Sequence, residues 1–157
     1  MALARAPADP GLSAKSAELA ALAAALEREG LPSADLEGPE KFFFAFDDAE
    51  ARPVGFGGLE IKGSHALLRS VIALERGKGS GRAIVEWLID YARMHGVARL
   101  YLLTTTAPGF FEHLGFMRIE RNRVPPAIAA TEEFRSLCPS SALCLTLDVS
   151  KQQDRQP

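Results

Sequence analysis

Between positions 76 and 81 the chain reads Arg76-Gly-Lys-Gly-Ser-Gly81, three glycines at alternate positions where a strand pattern gives way to a helix pattern. With no Cβ atoms in the way, backbone N–H groups and the positive end of the following helix can converge there on an anion. That is the form of a phosphate cradle, and spacing excludes its two commonest versions. A Walker A loop has four residues between its first glycine and its Gly-Lys-Ser/Thr, but Ile72 stands at the first position and Lys78 is followed by Gly79. A dinucleotide-binding Gly-x-Gly-x-x-Gly needs glycine at position 82, which is Arg82. The same turn also serves as a plain strand-to-helix connection with no ligand.

Other residue types stand out against their surroundings. Arg69 lies inside the apolar run Ala66 to Leu74. An unpaired cation there is costly, so it either pairs with an acid such as Glu60 or lines a cleft, where its fork suits a carboxylate-like oxyanion. Thr104, Thr105 and Thr106 end an apolar strand at the side where ligands of α/β proteins gather, and alternation sends Thr104 and Thr106 to one face. Threonine's β-propensity alone also explains them. Cys138 and Cys144 are six apart across Pro139, which is no zinc spacing and fits buried thiols, and no metal is expected. His65 reads as a turn residue and His113 as a helix-surface residue.

The elements that must position these residues follow from periodicity. Residues 1 to 15, rich in Ala, Pro, Gly and Asp, read as a loose arm, at best one poor edge strand. Ser16 is placed to cap a helix from Ala17 to Glu29 with Leu19, Leu22 and Leu26 on one stripe, ended by Gly30 and Pro32. Lys41 to Phe46, Pro53 to Ile61 and Ala66 to Leu74 read as three antiparallel strands. The glycine turn opens into a helix from Arg82 to His95, with Ile84, Val85, Leu88, Ile89 and Ala92 on its buried face. Then come a strand from Arg99 to Thr106, a short helix from Pro108 to Leu114, a strand from Phe116 to Arg121, a helical segment from Pro125 through Leu137 and a last strand from Ala142 to Val149. The polar tail begins at Ser150.

Composition bounds the rest. The chain's 157 residues suit one domain, expected over 16–149, and 47% hydrophobic with 24% charged residues is the balance of a globular protein with a real core. A net charge of −2 gives no general pull toward nucleic acid or an anionic membrane, and no apolar run is long enough to span a bilayer. Two cysteines make no disulfide framework and fit a reducing cytoplasm.

Arg76-Gly-x-Gly-x-Gly81 after a strand, then a helix, another strand and Ala107-x-x-Phe-Phe-Glu-x-Leu-Gly-Phe116, resembles the GNAT superfamily of acyl-CoA-dependent N-acetyltransferases. The resemblance implies an α/β (α+β) fold: a mixed, mostly antiparallel sheet flanked by helices, in which two strands splay apart to admit the cofactor. It implies acetyl-CoA as co-substrate. The N–H groups of Gly77, Lys78, Gly79, Ser80, Gly81 and Arg82, with Arg76, would hold its pyrophosphate. Backbone of Val71, Ile72 and Ala73 would pair with the pantetheine arm, beside Phe110 and Phe111. Leu31-Pro32, Gly58-Leu-Glu60, Leu67-Leu-Arg-Ser70, Leu102-Leu-Thr-Thr-Thr106, Thr131-Glu-Glu-Phe134 and Leu137-Cys-Pro-Ser-Ser141 look like its arsenic-resistance-associated branch, over roughly residues 16 to 147. One departure concerns proton transfer. Phe111 stands where many members carry a general-acid tyrosine.

Making an amide from a thioester needs a neutral amine, a stabilised oxyanion and a departing thiolate. A thiol with a pKa near ~8.5 leaves without obligatory help from an acid. Glu60, ending an apolar strand beside the site strand, is the expected base, directly or through a water. A backbone N–H of Val71 or Ile72 is the oxyanion donor that the resemblance implies. Arg69, Thr104, Thr106 and Phe44 are the expected acceptor contacts, Thr104 closest to the chemistry. The acceptor is expected to be a small-molecule amine, an arsenical or phosphinic amino acid being the narrowest version, with a homodimer as the assembly left open. Two readings compete: a protein N-terminal or lysine acetyltransferase, and a non-catalytic acyl-CoA-binding module, which Phe111 keeps open.

Overall fold

The computed structural model describes residues 11–75 and 77–150. One seven-stranded sheet organises them, in the order β1-β2-β3-β4-β5-β7-β6. Its strands are β1 (Ser13–Ser16), β2 (Lys41–Asp47), β3 (Pro53–Lys62), β4 (His65–Ala73), β5 (Arg99–Thr104), β6 (Met117–Ile119) and β7 (Leu143–Asp148). Every neighbouring pair is antiparallel except β4 and β5, which are parallel because helix α2 (Ser80–Met94) crosses between them. The mixed, mostly antiparallel sheet is the fold class that the sequence implies.

Alternation sorts the strands' side chains onto two faces. On one, α2 lays Ile84, Val85, Leu88 and Ile89 onto Phe46, Leu59, Ala66, Leu68, Leu100 and Leu102. Gly57 lets the helix approach closely, since a Cβ there would stand 2.6 Å from Leu88 Cδ1. On the other, α1 (Leu19–Arg28) packs Leu22, Ala25 and Leu26 against Leu36, Phe43 and Ile72. Beside it, α4 (Pro126–Ala129) brings Ile128 onto Leu67, Tyr101 and Cys144.

Boundaries differ most from the sequence expectation at three places. Ser16 caps nothing: it is the end of β1, opposite Phe44, and Ala17 N–H donates to Phe43 O at 2.9 Å, so pairing carries the chain past it and α1 starts at Leu19. β1 begins at Ser13, inside the segment read as a loose arm or at best one poor edge strand, and is the edge strand of that reading. The strand expected from Phe116 to Arg121 spans only Met117–Ile119, and residues 121–123 form a 3₁₀ turn. The single helical segment expected through Leu137 is two pieces, α4 and a π-helical turn at Glu133–Leu137. Among the described residues no helix is long and apolar enough to cross a membrane.

Candidate active site

β4 and β5 pair only at His65, Ala66 and Leu67, opposite Arg99, Leu100 and Tyr101. Beyond those residues they diverge. β5 continues against β7 as far as Thr104, and β4 continues against β3. The gap between them is a cleft of about 490 Å³, walled by Leu68–Ala73 on one side and Leu102–Ala107 on the other. Along its wall β4 is irregular: the register with β3 passes from Gly58↔Arg69 to Phe56↔Ile72, setting Ser70 and Val71 against Gly57 alone. Ser70 has φ of 62°, a left-handed backbone that a non-glycine residue rarely adopts. Such a bulge turns backbone groups out of the ladder, and strained positions of this kind concentrate at functional sites.

The glycine turn lies at the end of β4 that lines the cleft, and leads into α2. Gly77 and Gly79 have φ of 79° and 78°, and an added Cβ at either meets nothing within 4 Å. Gly79 occupies the N-cap position of α2, and Gly81, in its first turn, would carry a Cβ 3.3 Å from Phe110 Cζ. The turn therefore presents open backbone at the positive end of a 15-residue helix. Ser80 opens that helix, and Lys78 and Arg82 stand exposed at the rim in ion pairs with Glu75 and Glu86. Arg76, expected to contribute to the cradle, is outside the described residues.

One cluster of buried charge faces this cleft. The Arg69 side chain is wholly buried, and its fork grips the Asp35 carboxylate with two bonds of 2.7 Å. Its Nε is 3.2 Å from both Ser70 Oγ and Glu133 Oε2, and Nη1 is 3.6 Å from Glu60 Oε1. The guanidinium also lies over the Phe43 ring, 5.3 Å from its centre. Three carboxylates thus face one guanidinium, with Lys41 3.7 Å from Asp35 and Lys62 3.5 Å from Glu60 behind them. The environment drives two of these acids apart. Burial pushes Asp35 up, but the Arg69 hydrogen bonds and the charges of Arg69 and Lys41 outweigh it and hold the carboxyl below its usual range. Burial pushes Glu133 up, Arg69 opposes it, and the negative charges of Asp35 and Glu60 add to the rise.

The expected site residues distribute as follows. Val71, Ile72, Ala73, Arg69, Thr104, Thr106 and Phe111 all line the cleft. Arg69 pairs with acids, Glu60 among them, and also borders the cleft. The Thr104 hydroxyl accepts the Ala107 N–H at 3.1 Å, so it braces the turn into α3 (Pro108–His113). Phe110 packs edge-on against Phe111, which is buried and also touches Phe116. Glu60 is buried but is not among the lining residues, and its Oε1 has no hydrogen-bond partner. Phe44 lies away from the cleft, packed on Trp87 and Tyr91 at ring distances of 4.9 and 5.0 Å. Cys138 borders the cleft, 3.8 Å from Glu133 Oε1. Burial and the Glu133 charge push its thiol up to about 12, so it is protonated at neutral pH and no nucleophile. Burial likewise raises Cys144, to about 11.

Sequence reading did not single out Asp35 or Glu133. The available signal was Arg69 itself, an arginine in an apolar strand that demands acids without saying which. Among the described residues no group of His, Cys, Asp and Glu is arranged to hold a metal ion.

Known proteins give this geometry a context. The family model of the acetyltransferase (GNAT) family matches residues 13–116. No curated protein matches the chain. Among solved structures, N-acetylglutamate synthase from Neisseria gonorrhoeae, complexed with coenzyme A and N-acetyl-glutamate, is 20% identical with a TM-score of 0.69, over 88% of this chain and 35% of that one. The chain spans about a third of that protein's length. A spermidine N-acetyltransferase chimera from Vibrio cholerae is 16% identical, TM-score 0.64, over 92% and 99% of the two chains. The ribosomal-protein-S18-alanine N-acetyltransferase from Escherichia coli is 21% identical, TM-score 0.62, over 88% and 94%. At these identities the likeness is one of fold.

Proposed function

The chain belongs to the acetyltransferase (GNAT) family, and from that premise we propose that it transfers acetyl from acetyl-CoA to a small, protonated amine bound in the cleft between β4 and β5. The observation that carries this reading is the parting of β4 from β5 after Leu67, directly beside an open glycine turn. The turn fits a pyrophosphate: Gly77 and Gly79 leave space that side chains would fill, and the helix end supplies positive potential. The backbone of Gly77 to Arg82 would hold that group. Val71, Ile72 and Ala73 would face the pantetheine arm, Phe110 and Phe111 would pack beside it, and the bulge at Ser70–Val71 would turn a backbone N–H toward the carbonyl oxygen.

The acceptor's class follows from charge. The end-on fork of Arg69 is taken by Asp35 and its Nε–H by Ser70, so it has no parallel pair of donors to spare for a substrate oxyanion. The charged residues that line the cleft are Glu29, Glu133 and Arg69, and because the Arg69 fork is already engaged by Asp35 this lining favours a cationic amine over an amino-acid-like anion. An arsenical or phosphinic amino acid, the narrowest version of the acceptor, draws no support from the comparisons. Phe111 places no phenol at the leaving group, and neither Tyr91 nor Tyr101 lines the cleft. The thiolate's own low basicity makes a dedicated acid dispensable.

The test is thiol release from acetyl-CoA with a panel containing spermidine, simple alkylamines, lysine, a peptide with a free N-terminus and glutamate. Release with the small cationic amines and not with glutamate is expected. Release with glutamate or the peptide alone overturns the acceptor class. Acetyl-CoA binding with no release on any amine favours a non-catalytic acyl-CoA-binding module.

A further inference from the structure

We propose that Glu133 is the base that removes the proton from the acceptor's ammonium, and that Arg69 with Asp35 positions it. The proposal rests on the acetyl-transfer reading above and adds a residue to it. Glu133 combines two properties that neither of the other two acids of the cluster has together. It borders the cleft, which Asp35 and Glu60 do not, and its Oε2 is ion-paired with Arg69 Nε at 3.2 Å, without the two-bond grip that holds Asp35. Asp35 has both oxygens taken by the Arg69 fork and is stabilised as the anion. Glu60 sits one strand further back, opposite Leu67 in the register, between Arg69 and Lys62.

The element that carries Glu133 is built to hold it still. It opens the π-helical turn Glu133–Leu137, closed by Cys138 N–H donating to Glu133 O at 3.1 Å, and such turns recur at functional sites. Arg121 straps the segment, donating to Pro139 O at 2.8 Å and Phe134 O at 3.2 Å while its guanidinium lies 5.6 Å from the centre of the Phe134 ring. Thr131 Oγ1 donates to Ile128 O at 2.8 Å and closes the preceding turn. The side chain is thus fixed from both ends, by Arg69 at the carboxylate and by these bonds at the backbone.

The charges around it suit a base. Arg69 on β4, Asp35 on the α1–β2 connection, Glu60 on β3 and Cys138 after the π-helical turn face it, with Lys41 and Lys62 behind. Burial first, then Asp35 and Glu60, raise Glu133's affinity for a proton, and pairs of acids driven apart in this way mark acid–base assignments. In the step, the ammonium N–H bond breaks and its proton joins a Glu133 oxygen. The freed lone pair forms the N–C bond to the acetyl carbon, the C–S bond breaks and the sulfur leaves as thiolate. The second nitrogen proton passes to that thiolate, and Glu133 returns its own to solvent.

Two measurements test this, on Glu133→Gln and the wild-type protein. Infrared titration of the wild type needs no acceptor: a carboxylic-acid band titrating above the ordinary glutamate range, absent from Glu133→Gln, is expected, and its absence from the wild type overturns the proposal. In thiol-release kinetics, ethylamine is protonated at neutral pH and 2,2,2-trifluoroethylamine is already neutral. Glu133→Gln is expected to lose roughly 10²-fold in kcat/KM on ethylamine and its acid limb, while changing less than about threefold on trifluoroethylamine. Equal loss on both amines returns Glu133 to a structural role and overturns the proposal. No release from the wild type with any amine means that the transfer reading itself has failed, and the assignment falls with it.

Discussion

The two faces of the sheet are equally dry and differ in what they bury, and β4 shows the contrast within four residues. Ala66 and Leu68 turn toward α2 and are 0% and 2% exposed; Leu67 and Arg69 turn toward α1 and α4 and are 0% and 3% exposed. The α2 face is closed with aliphatic and aromatic side chains, whose burial is favourable at about 25 cal/mol per Å². The opposite face buries an arginine and three carboxylates, and such groups contribute less to stability than apolar residues of the same size would. Dryness alone therefore does not separate scaffold from site. The buried charge does, and it lies on the face where β4 and β5 part.

Substitutions can break that contrast or sharpen it. The largest expected effect is on the scaffold face. Leu88→Ala, at a fully buried position, should cost about 2–5 kcal/mol in chemical denaturation and leave the pH–rate profile of the folded fraction unchanged. Asp35→Ala should cost about 3 kcal/mol, within that range and at the low end for a broken buried pair, because Arg69 keeps Glu60 and Glu133. It should differ from Leu88→Ala in kind, since it frees the Arg69 fork and alters the pH–rate profile as well as the melting curve. A profile unchanged in Asp35→Ala would put both faces on the same footing.

Glu60→Gln separates two candidate bases. Its charge helps raise Glu133, so its removal should move the acid limb of the rate profile toward lower pH and leave the limb present. Disappearance of the limb would make Glu60 the base that its place at the end of an apolar strand suggests.

The smallest effect is on stability and has the opposite sign. A carboxyl raised above its unfolded value of 4.5 binds more protons folded than unfolded, so stability falls as pH climbs through that window. Glu133→Gln lifts that penalty and keeps an acceptor for Arg69. It should melt at a higher temperature than the wild type at pH 8 and at no higher a temperature below about pH 4.

What the sequence shows and hides follows the same division. The α2 stripe of Ile84, Val85, Leu88, Ile89 and Ala92 is legible because a helix pattern is local, and the glycine turn is legible because its three glycines are contiguous with that helix. The parallel pairing of β4 with β5 follows from the helix between them. Arg69's need for acids is legible from its apolar neighbours. Its partners are not, because Asp35 arrives from a connection 34 positions earlier and Glu133 from a turn after β6. The π-helical turn reads as ordinary helix in sequence, since no residue type marks an i to i+5 closure. Ser16 misleads because a good cap residue is also an acceptable strand residue, and pairing with β2 decides between them.

The central claim is that the open glycine turn beside the parted strands holds acetyl-CoA, and calorimetric titration of the wild type and Gly79→Val tests it most directly. At φ of 78° valine is strained by about 1–2 kcal/mol, small enough to leave the fold in place, while its branched side chain fills the space that the turn leaves open. The wild type should bind one acetyl-CoA per chain, and Gly79→Val, with a native circular dichroism spectrum, should give no binding heat at the same concentrations. Equal affinity in the two proteins would contradict the account and place the cofactor elsewhere.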